Sequence, residues 1–124
     1  MDWQPTSEAE IWDEMNAAWD RMNIPQRRLW QAIRINPEKW QLHPWGDAGG
    51  GFWVVGVIGN IVVWYNDIEG GFNRSRYKRY GSLEQYFCNQ DELEWTIQFL
   101  INAIEAGYDS GPFCGPPQPG PFSG

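Results

Sequence analysis

The stretch Phe52-Trp53-Val54-Val55-Gly56-Val57-Ile58-Gly59-Asn60-Ile61-Val62-Val63-Trp64-Tyr65-Asn66 reads as a β-hairpin. Val and Ile are stiff at χ1 and suit an extended backbone, while Gly59 and Asn60 tolerate the positive φ that a two-residue turn requires. Apolar residues fill both alternation sets, Phe52, Val54 and Ile58 on one side and Trp53, Val55 and Val57 on the other. A sheet wetted on one face would show polar residues in one set, so both faces of this hairpin are expected to be covered.

Upstream, Ser7 followed three residues later by Glu10 is a capping-box pattern, and Ile11, Met15, Ala18 and Met22 recur at helical spacing. This predicts an amphipathic helix with an acidic outer face carrying Asp13, Glu14 and Asp20. Asn23 and Pro25 end or redirect it, because proline lacks the backbone donor and disfavours helical geometry in the residue before it. From Gln26 to Asn36 the reading favours a strand ending before Pro37, with Arg28 and Arg34 outward, over a short helix. Pro37 to Gly51 reads as irregular chain anchored by Trp40 and Trp45.

Downstream, Gly70 and Gly71 mark a turn. Phe72 to Tyr80 then sets Arg74, Arg76 and Lys78 against Ser75, Tyr77 and Arg79, the pattern of a solvent-facing or edge strand. Leu83 to Phe87 suggests a turn of helix, and Asn89 or Asp91 a cap for a last helix with Leu93, Ile97, Leu100, Ile101 and Ile104 inward. Gly107 stops it. The expected architecture is α+β: a three- or four-stranded, mostly antiparallel sheet packed by an N-terminal and a C-terminal amphipathic helix. Residues 1–106 form one domain; residues 107–124, with five Gly and five Pro, read as a disordered tail whose Pro-Pro-Gln-Pro piece is a bland extension.

Sixteen acids against nine bases give a net charge of −7, which argues against nucleic-acid or anionic-membrane affinity and for a basic protein partner or simple solubility. The bases cluster in two islands, residues 24–40 and 74–79. No apolar run reaches the roughly 18 residues of a membrane span, and Met1 to Glu10 is acidic and polar, so cytoplasmic residence is expected. Cys88 and Cys114 are too few and too far apart in sequence for a disulfide framework or zinc site, leaving reduced thiols as the default.

Few residues suggest chemistry, and no cofactor motif is found. Asn66, Asp67, Glu69 and Asn73, with Arg74 and Arg76 close by, offer polar groups for a small ligand or hard cation. Turn capping by these groups, and pairing of the carboxylates with Arg74 or Arg76, is the plainer explanation. His43 with Cys88 imitates a thiol-protease pair only by chance coincidence of single residues. The glycines between Gly46 and Gly51 lack the Lys-Ser or Lys-Thr of a phosphate loop and more simply let the chain pass close to tryptophan rings. Arg74 to Arg79, interleaved with Phe72, Tyr77 and Tyr80, resembles a minimal single-strand nucleic-acid surface, but pairing with the acidic helices is more economical in so acidic a chain.

The segments Gly51-Phe-Trp-Val-Val-Gly, Trp64-Tyr-Asn-Asp-Ile-Glu-Gly-Gly-Phe-Asn-Arg-Ser and Tyr86-Phe-Cys-Asn-Gln-Asp-Glu-Leu-Glu resemble a group of small stand-alone bacterial proteins. That resemblance implies no reaction and no catalytic residues. By size and charge alone the chain is also loosely similar to bacterial immunity proteins, which bind and block a cognate toxin. The expectation is therefore a small protein-binding domain rather than an enzyme, with Asp13, Glu14 and Asp20 as the partner-binding face and the Asn66, Asp67, Glu69 and Asn73 cluster as the alternative. Its oligomeric state is not legible.

Overall fold

The computed structural model describes residues 3–115. Within them the chain forms helix α1 (Glu8–Arg21), helix α2 (Ile24–Ile33), strands β1 (Arg34–Trp40), β2 (Phe52–Ile58), β3 (Ile61–Asn66) and β4 (Gly71–Arg76), and helix α3 (Leu93–Ala106). The strands make one antiparallel meander in the order β1-β2-β3-β4. An α+β fold with an N-terminal and a C-terminal helix is thus what the sequence builds. No helix among the described residues is long and apolar enough to cross a membrane.

The central hairpin closes at Gly59, whose φ of +57° lies where glycine is at ease. Its two faces carry two separate cores. On one, α1, α2 and α3 bring Ile11, Met15, Trp30, Leu93 and Ile97 against Val55, Val63 and Phe72. On the other, Trp40, Phe52, Val54, Val62 and Trp64 are covered by Leu42, Leu83 and Tyr86, which belong to irregular chain. Both faces are covered, but a bulge alters the alternation read from sequence. Val54 pairs with Trp64 and Gly56 with Val63, so β2 carries one extra residue there. Beyond it the sides exchange: Ile58 joins Val55 on the helix face and Val57 joins Val54 on the other. At the bulge, Gly56 leaves room for Trp30, whose ring a Cβ would meet at 3.1 Å.

Several local expectations are corrected. Gln26–Asn36 is not a strand: Asn23 caps α2, accepting from the Gln26 amide while the Gln26 side chain accepts from the Asn23 amide. Pro25 sits in the first helical turn, where its missing donor costs nothing. The strand begins only at Arg34 and runs through Pro37, with a register shift between Arg34 and Glu38 that accommodates it. Leu83 to Phe87 is irregular chain rather than helix. The cap of α3 is Glu92, without a side-chain bond, rather than Asn89 or Asp91. Ile104, expected inward, is 60% exposed.

The Gly/Pro-rich segment is corrected over residues 107–115, which dock against β4 and the chain from Phe87 to Asn89; its Pro-Pro-Gln-Pro piece lies outside the described residues. Arg74 is the reason. Expected to face solvent, it is 2% exposed on the helix face, donating from Nε and Nη2 to Asp109 at 2.5 and 2.9 Å. Phe99 of α3 and Phe113 lie against its guanidinium, their centroids at 4.7 and 4.0 Å. A buried cation persists only when paired, and the segment after α3 supplies the pair.

Candidate functional site

Asn66 and Asn73, the polar centre of the sequence-derived cluster, are fully occupied within the fold. The Asn66 amide donates to Phe87 O at 3.0 Å, and its carbonyl accepts from the amides of Ile68 and Glu69. Asn73 donates to Asn89 O at 3.1 Å and accepts from Asn89 N at 2.8 Å. Asn89 donates in turn to Asp91 and to Pro112 O, and accepts from Cys114 N at 2.6 Å. Trp64 extends the series, donating to the Ser75 hydroxyl, which donates to Gln85 O. These side chains bind irregular backbone to the sheet in place of a further strand.

The remaining cluster members separate. Asp67 accepts from the Thr6 amide at 2.9 Å, and its backbone carbonyl accepts from the Trp3 indole. Glu69 is exposed. The expected pairing of Asp67 and Glu69 with Arg74 or Arg76 is not what the structure shows: Arg74 takes Asp109, and exposed Arg76 donates its backbone amide to Gln85 Oε1. Nor does the basic island pair with the acidic helices, since Lys78 meets Glu84. Among the described residues no group of three or more His, Cys, Asp or Glu could hold a metal ion. His43 and Cys88 have different partners. His43 Nδ1 lies 2.6 Å from Asp47, whereas burial and the Cys114 sulfur push the Cys88 thiol up to about 11, away from an activated nucleophile.

What the fold does assemble is an acidic cleft around Tyr65. It has a volume of about 220 Å³ and is lined by Glu14 of α1, Tyr65, the Gly70–Gly71 turn, Phe72, and Gln90, Asp91 and Glu92 ahead of α3. The half-buried Tyr65 ring packs edge-on against Phe72, with centroids 4.9 Å apart. Burial raises the Tyr65 phenol above its ordinary pKa, and the negative charges of Glu14, Asp67 and Glu10 raise it further. Arg21 is the cation on this flank, held by Glu92 and by two bonds to Glu94, of 2.6 and 3.0 Å.

The acidic face expected on α1 therefore divides. At 100° per residue, Glu10 and Glu14 lie on the flank toward Tyr65 and Arg21, while Asp13 and Asp20 stand opposite the buried Ile11, Met15 and Ala18. All four are exposed. Sequence spacing supplied the helix and its charges; the meeting of Glu14 with Tyr65 and Asp91 depends on tertiary packing and left no local signal.

No family model matches the chain, and neither a curated protein nor a solved structure matches it.

Proposed function

We propose that this is a protein-binding domain that takes a basic partner at the acidic cleft around Tyr65. The observation that carries the reading is the grouping of Glu14, Asp91 and Glu92 around the half-buried Tyr65 in one open cleft. At about 220 Å³ the cleft is smaller than the roughly 300–1,000 Å³ of small-molecule sites and suits one long side chain. A lysine or arginine there would meet carboxylates and an aromatic ring, the two surfaces that recognise a cation. Asp13 and Asp20, outside the cleft, would speed the encounter more than they tighten the complex.

An immunity-type role, in which the acidic cleft occupies the cationic surface of a toxin, is the biological form that size and charge suggest. A small-ligand or metal site at Asn66, Asp67, Glu69 and Asn73 has less support, because both asparagines are engaged with backbone.

The test is selection of binding peptides from a random displayed library, followed by affinity measurements on charge-reversed protein. Enrichment of lysine or arginine is expected, with binding at least about tenfold weaker for Glu14→Lys and the melting temperature unchanged. Asp13→Lys plus Asp20→Lys should mainly slow association. Peptides without a basic preference, or affinity indifferent to Glu14, would contradict the proposal.

A further inference from the structure

Cys88 and Cys114, the chain's two cysteines, lie 26 residues apart in sequence and side by side in the fold. Their backbones set this arrangement. The Cys88 amide donates to the Cys114 carbonyl at 2.7 Å, and the Asn89 side chain grips the facing segment twice, accepting from Cys114 N at 2.6 Å and donating to Pro112 O at 2.8 Å. Cys88 is half-buried and Cys114 exposed, with the sulfurs 2.6 Å apart. The segment they would tie down is the one that closes over Arg74. Asp109 bonds the guanidinium, Phe113 lies over it and also packs against Phe87, with centroids 4.7 Å apart, and a Cβ on Gly111 would collide with Nη2.

We propose that Cys88 and Cys114 form a reversible disulfide that latches residues 107–115 over Arg74. The oxidant is a low-molecular-weight disulfide of the glutathione class. The exposed Cys114 thiolate attacks one sulfur of the small disulfide, whose S–S bond breaks and releases one small thiol. The Cys88 thiolate then attacks the Cys114 sulfur of the mixed disulfide, forming the protein S–S bond and expelling the second small thiol. Two protein thiols are oxidised and one small disulfide is reduced to two thiols, so the exchange balances, and excess small thiol reverses it.

The latch has a consequence beyond the bond. A cleft of about 410 Å³ lies between Ile61, Ser75 and Arg76 of the sheet, the Gln85–Phe87 chain, and Asp109 with Phe113. Oxidation holds its Asp109–Phe113 wall in place by closing a covalent loop that the undocked segment would have to keep. In the reduced protein the same wall is held only by noncovalent contacts, among them the Arg74–Asp109 pair, the Asn89 bonds, the Cys88 amide bond and the Phe87–Phe113 packing.

Full-length protein incubated with oxidised glutathione, against a dithiothreitol-treated control, tests this. A monomer lighter by two hydrogens is expected, and cleavage after the intervening Glu92, Glu94 and Glu105 should leave the Cys88 and Cys114 peptides joined. Amide exchange at Gly111 and Cys114 should slow at least about tenfold on oxidation, a difference that Cys114→Ser abolishes. A persistent glutathione adduct on Cys114, covalent dimers, or a disulfide that leaves amide exchange unchanged would overturn the latch.

Discussion

The two faces of the sheet are held by different physics. The helix face is an apolar contact among three amphipathic helices, and its strength is buried area. The opposite face is an aromatic layer built on Trp40, Phe52 and Trp64, whose cover is irregular chain that cannot satisfy its own backbone. There Asn66, Asn73, Asn89 and Ser75 supply the missing partners. A helix can be laid on a sheet by periodicity alone; a loop needs particular side chains at particular carbonyls.

The contrast is most severely tried at Trp64, which is fully buried and donates to Ser75. Trp64→Ala should cost about 3–5 kcal/mol, chiefly from the cavity, with the lost bond to Ser75 adding to it, read as a fall in the denaturant midpoint. Arg74→Ala, on the helix face, should cost about 2–3 kcal/mol, toward the low side for a broken buried pair because the Asp109 side chain remains a quarter exposed. It should also release residues 107–115, seen as rapid amide exchange at Gly111.

The same pair gives the contact a pH dependence. Burial opposes ionisation of Asp109, but bonds from Arg74 and the Gly111 amide outweigh it and hold the carboxyl below its ordinary value. A depressed carboxyl stabilises the docked state above the ordinary carboxylate pKa, and that stabilisation is lost as pH falls through the depressed one. Docking of residues 107–115 should therefore be full at neutral pH and loosen on acidification below about pH 4. In Arg74→Ala this acid dependence should disappear.

Smaller effects separate the faces further. Asn73→Ala leaves the Asn89 amide and carbonyl without their partners and should cost about 1–3 kcal/mol by chemical denaturation, although little apolar area is lost. On the helix side, the Thr96 hydroxyl is buried with no hydrogen-bond partner among the described residues. Thr96→Val should be stabilising by up to about 1 kcal/mol, raising the melting temperature. The opposite sign at these two sites is the sharpest form of the comparison.

Legibility in the sequence follows the same division. The hairpin, α1 and α3 came from residue periodicity and from Gly59, Ser7 and Gly107, signals local to each element. Helix α2 was legible too, since Asn23 and Gln26 repeat the capping spacing of Ser7 and Glu10; the nearby proline was read as an end when it marks a start. The bulge at Gly56 was hidden because both faces are apolar, so a one-residue shift exposes nothing polar. Arg74 resembled a surface residue because its partner Asp109 lies 35 positions away, in a segment whose composition suggested disorder. Cys88 and Cys114 meet through the asparagine bonds, which no periodicity encodes. The proposed site shares this difficulty: Glu14, Tyr65 and Asp91 come from three separate elements.

The most direct test is a chemical-shift titration of the isotopically labelled protein with a short arginine-rich peptide, at low and at high salt. At low salt the account predicts saturable shifts confined to Tyr65, Phe72, Glu14 and the Gln90–Glu92 chain, weakened by salt and removed by Glu14→Lys. Shifts spread evenly over the acidic surface, or none at Tyr65, would contradict it.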